Sequence, residues 1–183
     1  MSADDPVMLF ERATARAAEV MAGVAARQLD GPTPCADWDV QQLIDHMVGG
    51  TDYLLAALVG EAPPERAGRT VEDYRRGLEQ LQSGLRAPGG LERLCMSPLG
   101  FEWPVAHAVA GTFMDALIHT WDLATTTGQD ASLDPELVEA CIAMFLPDMP
   151  ERGRSSGLVG PAVVVPDDAS TQEQLLAAMG RRP

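Results

Sequence analysis

Cysteine is scarce in this chain of 183 residues, and the three cysteines that occur are far apart. Cys35, Cys95 and Cys141 form no CxxC motif, and an odd, scattered set is typical of reduced thiols rather than of a disulfide framework. The opening residues M-S-A-D-D-P lack the basic start and the apolar run of a secretory signal. Both absences predict a cytoplasmic protein.

Long apolar runs and positive charge are lacking as well. No uncharged apolar stretch reaches the ~20 residues that a membrane-spanning helix requires. The 13 Lys and Arg residues are outnumbered by 27 Asp and Glu residues, which leaves a net charge of −14. A chain this acidic is repelled by phosphate backbones and by anionic lipid. We therefore expect no nucleic acid and no membrane among its partners.

Apolar residues at helical spacing are what the chain does have. Hydrophobic residues make up 46% of the sequence and recur three and four positions apart over several segments. Two stretches lack this period: 91–103, which is predicted to hold a short extended pair, and 163–165, a run of three valines. The periodic segments predict helices over about 6–28, 39–60, 74–85, 104–128, 134–145 and 171–179.

This pattern favours an all-α protein. Four or five long helices with few strand signals are typical of an up-down four-helix bundle, here with a short extended segment and an extra C-terminal helix. The length fits one domain over residues 1–183, with a loose extension from about residue 150, where Pro and Gly accumulate. Capping boxes are predicted for the second and last helices, in Asp39–Gln42 and Thr171–Gln174.

Two turns of the fourth predicted helix carry the strongest chemical signal. Asp115 and His119 are four residues apart, so they share one face of that helix. His46, in the segment L-I-D-H-M-V, borders the apolar stripe of the second predicted helix. If the two helices are neighbours, these three side chains converge. A surface Asp–His ion pair without a metal is the alternative for the same spacing.

Two imidazoles and one carboxylate are a recognisable ligand set. They suit Zn²⁺, Ni²⁺, Fe²⁺ or Co²⁺ better than Ca²⁺ or Mg²⁺, which prefer oxygen ligands throughout. Three protein ligands also leave a position open, as in catalytic rather than structural zinc sites. The remaining histidine, His107, lies about 80° round the helix from Asp115 and is predicted to be exposed or at the mouth of a site, but not to be a ligand.

Three further residues need an interpretation. Asp122, seven positions after Asp115, either accepts a hydrogen bond from the outer nitrogen of a ligating histidine or is a solvated acid near the helix end. Trp38 is interpreted as a packing anchor between its loop and the second helix. Cys35 is interpreted as a small buried hydrophobe, because the sequence indicates no adjacent base or cation that would activate its thiol.

Four segments of the chain together resemble one known family. They are P-T-P-C-A-D-W-D-V (32–40), L-I-D-H-M-V-G-G (43–50), D-A-L-I-H-T-W-D-L-A (115–124) and G-P-A-V-V-V-P-D-D-A (160–169). In this order they are similar to the mycothiol-dependent maleylpyruvate isomerase-like group of the DinB-like metal-binding superfamily, in particular to its small uncharacterised actinobacterial members. The resemblance covers nearly the whole chain. It implies a DinB-like four-helix bundle that holds a divalent ion, commonly zinc or nickel.

The resemblance also implies which residues bind the metal and what reaction it serves. The family's histidine on the second helix and its acid-x-x-x-histidine pair on a later helix correspond to His46, Asp115 and His119. The family's characterised isomerase has a glutamate where this chain has Asp115. Mycothiol is the thiol cofactor of that enzyme, and related bundles transfer thiols. The resemblance therefore implies a metal- and thiol-dependent isomerase or S-transferase, with a small-molecule thiol and a small electrophile as partners.

A second class of function stays open at this point. The alternative is a metal-binding or interaction protein without turnover. The two classes differ in whether a thiol reacts at the metal. Neither the substrate nor the physiological metal follows from the residues, and a homodimer is among the assemblies to be expected.

Overall fold

The computed structural model describes residues 5–183, so the first four residues of the N-terminal segment considered above lie outside it. The chain divides into two compact units, with the boundary after Ala131. The first unit contains helices α1 (Pro6–Ala22), α2 (Val40–Val59), α3 (Val71–Leu85) and α4 (Val105–Thr127), with strands β1 (Leu94–Met96) and β2 (Glu102–Pro104) before α4. The second unit contains α5 (Pro135–Phe145), α6 (Met149–Ser155) and α7 (Thr171–Ala178).

Four helices enclose the core of the first unit. Helix α1 packs against α4 and α3, and α2 packs against the same two helices, so the four surround a common set of apolar side chains. This arrangement confirms the prediction of an all-α protein with a short extended segment and an additional C-terminal helix. The largest fully buried side chains in this unit are those of Phe10, Val20, Val40, Leu43, Val48, Leu54, Tyr74, Leu81, Phe113 and Leu123.

The longest described helix, α4, has 23 residues, but it carries Asp115, His119 and Asp122. Polar groups of this kind are costly inside a lipid bilayer. Within residues 5–183, no helix combines the length and the apolar character needed to cross a membrane.

Helix α2, which carries His46, begins where the sequence predicts. The Asp39 carboxylate accepts from the Gln42 backbone N–H at 2.8 Å, and the Gln42 side-chain oxygen accepts from the Asp39 N–H at 2.9 Å. This reciprocal pair confirms the predicted capping box. One turn after His46, a Cβ atom on Gly50 would lie only 3.2 Å from the Thr112 methyl group. The absence of that atom lets α2 approach α4, which positions His46 opposite the polar residues of α4.

The end of α1 differs from the prediction. The helix ends at Ala22 instead of about residue 28, and a separate 3-10 turn follows at Ala26–Gln28. The reason is a contact from a distant part of the chain. The Gln129 side-chain amide donates to the Val20 carbonyl at 2.9 Å, in addition to the Gly23 N–H at 3.1 Å, so this carbonyl is fully bonded at Ala22 without a further helical turn.

The start of α7 also differs, by one residue. Ser170, and not Thr171, caps this helix. The Glu173 carboxylate accepts from both the backbone N–H and the hydroxyl of Ser170, each at 2.7 Å. The Glu173 carboxylate is charged and therefore accepts a stronger hydrogen bond than the neutral amide of Gln174. The capping box of Ser170 and Glu173 therefore forms in place of the predicted box of Thr171 and Gln174.

The second unit contains a helix that the sequence did not indicate. The Pro- and Gly-rich stretch after residue 147 was expected to be irregular, yet α6 forms there with Pro150 in its first turn, where a missing N–H costs nothing. The valine run 163–165 does not form a strand, and the Val163 N–H donates to the Ala177 carbonyl at 3.0 Å instead. A single domain over residues 1–183 stays a prediction.

A hydroxyl on α2 holds the hairpin formed by β1 and β2. The two strands pair antiparallel, with Cys95 opposite Trp103. The Tyr53 hydroxyl donates to the Met96 carbonyl and accepts from the Trp103 indole N–H, both at 3.0 Å. Burial raises the pKa of Tyr53 to about 12, so this hydroxyl keeps its proton at neutral pH. The extended pair predicted near residues 91–103 is thereby joined to the helix that carries His46.

Two glycines should respond in opposite directions to the same substitution. A Cβ atom on Gly77 of α3 would lie 2.9 Å from the Thr51 Cβ atom of α2, whereas no described atom lies within 4 Å of a Cβ atom on Gly49. We expect Gly77→Ala to lower the free energy of unfolding by about 1–2 kcal/mol through overpacking. We expect Gly49→Ala to raise it by about 0.5–1 kcal/mol, because alanine loses less backbone entropy on folding.

Urea unfolding of the two variants beside the unchanged protein measures both effects. Equal stability changes of the same sign in Gly77→Ala and Gly49→Ala would contradict the close packing of α3 on α2.

Candidate metal centre

Helices α2 and α4 bring the three predicted ligands together. His46 Nε2 lies 3.1 Å from both carboxylate oxygens of Asp115. His119 Nε2 lies 3.3 Å from Asp115 Oδ1. One donor atom from each of the three residues can be chosen so that all lie within 4.8 Å of one another. We call this group, formed by His46, Asp115 and His119, the open site.

The open site is accessible from one side. The side chains of His46 and Asp115 are 37% and 33% exposed, whereas that of His119 is 9% exposed. His119 therefore forms the floor of the site, and the other two residues form its rim. A small molecule can approach the donor atoms from the side of His46 and Asp115.

Electrostatics hold the open site in a charged state when no metal is present. Burial alone would raise the pKa of Asp115, but the charges of His119 and His46 outweigh it and hold the pKa of this carboxyl well below its usual range. Burial alone would lower the pKa of His119, but the Asp115 charge and hydrogen bonds with Asp115, Asp122 and Cys35 hold it well above its usual range. An ionised carboxylate thus faces a protonated imidazole, and a divalent ion must displace that proton.

Asp122 lies directly behind the open site. Its carboxylate is fully buried, and Oδ2 lies 2.9 Å from His119 Nδ1. The alternative of a solvated acid is therefore wrong. An Nδ1–H that donates to Asp122 leaves the lone pair of Nε2 facing Asp115, which is the orientation that a metal ligand requires.

Cys35 is a neighbour of this site, and the expectation that no base lies beside it is wrong. Its Sγ lies 3.4 Å from Asp122 Oδ2 and 3.7 Å from His119 Nδ1. The loop that carries it is held by Thr33, whose hydroxyl accepts from the Cys35 N–H at 3.1 Å and donates to the Trp38 carbonyl at 2.8 Å. The thiol faces the nitrogen of His119 that points away from the open site.

Trp38 contacts the rings of both ligand histidines, in addition to its packing role. Its ring centroid lies 4.5 Å from that of His46 and 5.8 Å from that of His119. Sequence reasoning placed Trp38 and Cys35 in a loop but not at the site. One signal was available: the loop leads directly into α2, so residues shortly before Asp39 must lie within reach of the first turns of the helix that carries His46.

His107 lies apart from these groups. It is exposed, and its ring centroid is 6.3 Å from that of Trp103, next to the hairpin. Its exposure is what the sequence predicts for this residue. Because it lies on α4 like His119, it offers a matched control for substitutions at the open site.

Known proteins are similar to the part of the chain that carries the open site. Residues 10–124 match the family model described as the mycothiol maleylpyruvate isomerase N-terminal domain. Two uncharacterised proteins of Mycobacterium tuberculosis, one from strain CDC 1551 and one from strain H37Rv, are each 36% identical to this chain over 183 residues. The alignment covers 97% of this chain and 98% of each relative.

Two crystal structures resemble the fold. One is that of the mycothiol-dependent maleylpyruvate isomerase, with a TM-score of 0.62, and the other is that of a histidine-to-alanine variant of the enzyme, with a TM-score of 0.63. In both cases the sequences are 12% identical, and the match covers 91% of this chain and 77% of that chain. At this identity the likeness concerns the fold alone, and it confirms the predicted DinB-like all-α fold.

Proposed function

The chain belongs to the family of the mycothiol maleylpyruvate isomerase N-terminal domain, and from this membership we propose that it is a metal- and thiol-dependent enzyme. The reaction is an isomerisation or an S-transfer on a small electrophilic molecule. His46, Asp115 and His119 hold a divalent ion, zinc or nickel, and mycothiol supplies the thiol.

The donor set of the open site is the observation that carries this proposal. His46 Nε2 and His119 Nε2 lie 3.1 and 3.3 Å from Asp115 Oδ1. Bonds of about 2.0–2.1 Å around a tetrahedral Zn²⁺ separate nitrogen and oxygen ligands by about 3.3 Å. The residues therefore fit such an ion in ligand type and in spacing, and three ligands leave one position open.

The chain's own residues would each serve the reaction in a different way. His46, Asp115 and His119 would hold the ion, whose chemical contribution would be to lower the pKa of a thiol at its open position. Asp122 keeps the proton of His119 on Nδ1, so Nε2 stays available to the site. The exposed edges of His46 and Asp115 leave a path for the thiol and the electrophile. The Trp38 ring packs against one side of the His46 ring, with the two centroids 4.5 Å apart.

The reacting thiol would come from outside the chain. Cys35 faces the Nδ1 side of His119, on the far side of the imidazole from Asp115. Cys95 and Cys141 are buried, and burial raises the pKa of the Cys141 thiol to about 12. None of these thiols is placed to bind at the open position. Mycothiol fits the role because it is the thiol named for the family.

A turnover assay tests the proposal. Protein reconstituted with Zn²⁺ or Ni²⁺ is incubated with mycothiol and maleylpyruvate, and then with a panel of other electrophiles. Absorbance of the product scores isomerisation, and thiol loss scores S-transfer. We expect turnover that disappears on chelation and in His46→Ala, and that persists in His107→Ala. Fully loaded protein that turns over no member of the panel would favour the alternative of a metal-binding protein without turnover.

Metal binding should release protons near neutral pH. Because the pKa of His119 lies well above its usual range in the metal-free protein, its Nε2 proton must leave when the ion binds. We expect Zn²⁺ affinity to weaken as pH falls, and release of about one proton per ion near neutral pH. Calorimetric titrations in buffers of different ionisation enthalpy measure this number. An affinity that does not change with pH would contradict the ligand role of His119.

A further inference from the structure

His119 has a carboxylate on each side of its ring. Asp115 Oδ1 lies 3.3 Å from Nε2, and Asp122 Oδ2 lies 2.9 Å from Nδ1. A neutral imidazole has one N–H donor and one lone pair, and either nitrogen can carry the proton. Here each nitrogen has an acceptor for that proton. Either nitrogen can therefore present its lone pair to a metal while the other remains hydrogen-bonded.

A second set of ligand atoms surrounds Nδ1. Cys35 Sγ lies 3.7 Å from His119 Nδ1 and 3.4 Å from Asp122 Oδ2. A tetrahedral ion with bonds of about 2.3 Å to sulfur and about 2.0 Å to nitrogen or oxygen separates sulfur from the other ligands by about 3.5 Å. The two sulfur distances match that value, and His119 Nδ1 and Asp122 Oδ2, now hydrogen-bonded at 2.9 Å, would have to separate by about 0.4 Å to reach the spacing of two nitrogen or oxygen ligands. Cys35, His119 and Asp122 thus have the spacing of three ligands around one ion.

We propose that Cys35, Asp122 and Nδ1 of His119 form a second metal-binding site for thiophilic divalent ions such as Cd²⁺ and Zn²⁺. We call it the thiolate site. It shares His119 with the open site, and a neutral imidazole has only one lone pair to donate. Occupation of one site therefore excludes occupation of the other.

Binding of an ion at the thiolate site moves protons only between solvent and groups that already contact one another. The ion displaces the Cys35 thiol proton, which leaves to solvent, and the thiolate becomes a ligand. His119, protonated on both nitrogens in the metal-free protein, loses its Nδ1 proton to solvent and keeps the Nε2 proton, which Asp115 Oδ1 accepts. The overall exchange is one divalent ion bound and two protons released, one from Cys35 and one from His119.

Charge and softness favour different ions at the two sites. The thiolate of Cys35 and the carboxylate of Asp122 together neutralise a divalent ion, and a neutral complex is what the buried surroundings of Asp122 and His119 tolerate. The open site offers one carboxylate, leaves the complex positively charged and lies at the surface. Thiolate ligands also select soft ions, whereas imidazole and carboxylate accept harder ones. Cd²⁺ should therefore enter the thiolate site in preference to the open site.

Ultraviolet absorption on titration with Cd²⁺ tests this proposal. Thiolate-to-cadmium charge transfer is absent when only imidazole and carboxylate bind the ion. Reduced protein without added thiol should develop the band as Cd²⁺ is added, and Cys35→Ser and Cys35→Ala should not. Cys141→Ser is the matched control, because it removes another thiol and should keep the full band. No band in the unchanged protein, or a band that persists in both Cys35 variants, would overturn the proposal.

A variant at His46 separates this inference from the proposed function. His46→Ala removes a ligand of the open site only, so the charge-transfer band should persist in it at full amplitude. Loss of the band in folded His46→Ala would mean that the thiolate belongs to the open site, and the second site would be disproved. The proposed enzyme activity would be refuted by absence of turnover, and the thiolate site by absence of the band in His46→Ala. The two proposals are therefore tested by independent results.

Discussion

His119→Ala should abolish binding of a divalent ion at the open site. Substitution of groups that only support a metal ligand costs about 10–100-fold in affinity, so loss of a ligand should cost more than about 100-fold. Elemental analysis after reconstitution with Zn²⁺, followed by a competition titration against a chelator, measures the effect. Turnover should disappear with the metal.

His107→Ala is the control for this prediction, because it removes an exposed histidine from the same helix. It should bind metal as the unchanged protein does. Far-UV circular dichroism should show that both variants are folded, since each substitution leaves the apolar side chains that form the core of the first unit in place. Full metal uptake by folded His119→Ala would refute the assignment of the open site.

Asp122→Asn should weaken metal binding by about 10–100-fold without unfolding the protein. The side-chain oxygen of asparagine can still accept the His119 Nδ1–H, so the ring keeps its orientation. The negative charge that strengthens this hydrogen bond and makes Nε2 a better ligand is lost. A chelator competition titration with Zn²⁺ gives the change in affinity.

The matched control for Asp122→Asn is Asp45→Asn. Asp45 is next to His46 in the chain, but its carboxylate accepts from the backbone N–H groups of Gly68 and Arg69 at 2.9 and 2.6 Å. The control makes the same charge change near the site without touching a ligand. We expect Asp45→Asn to leave the Zn²⁺ affinity within about twofold of that of the unchanged protein. This change is much smaller than the loss of about 10–100-fold expected for Asp122→Asn. Equal losses in Asp122→Asn and Asp45→Asn would show that only net charge matters.

Much of the fold could be predicted from the sequence because the relevant interactions are local. The spacing of apolar residues indicated α2 and α4, and the reciprocal bonds of Asp39 and Gln42 span only three positions. Boundaries set by distant residues could not be predicted. The Gln129 side chain donates a hydrogen bond to the carbonyl of Val20, 109 positions away, and no sequence pattern within α1 indicates that contact.

The candidate site, too, could be predicted from the sequence only where its geometry is local. Helical geometry alone determined that Asp115 and His119 share a face, because four residues complete about one turn of an α-helix. The sequence also determined the ligand types and, by resemblance, pointed to His46. Only the tertiary structure decided that His46, 69 positions before Asp115, lies 3.1 Å from its carboxylate.

Cys35, Trp38 and Asp122 show most clearly what tertiary structure adds. Their types are common in ordinary packing and on helix surfaces, so the sequence interpreted Trp38 as a packing anchor and Cys35 as a buried hydrophobe, and it left two alternatives open for Asp122. Their chemistry follows from contacts across the fold: Cys35 meets Asp122 over 87 positions, and Trp38 meets the rings of both ligand histidines. The sequence by itself determined the helices and the spacing of one ligand pair. The packing of α2 and its preceding loop on α4 decided which groups surround His119, because such contacts depend on how whole helices pack rather than on the period within any one of them.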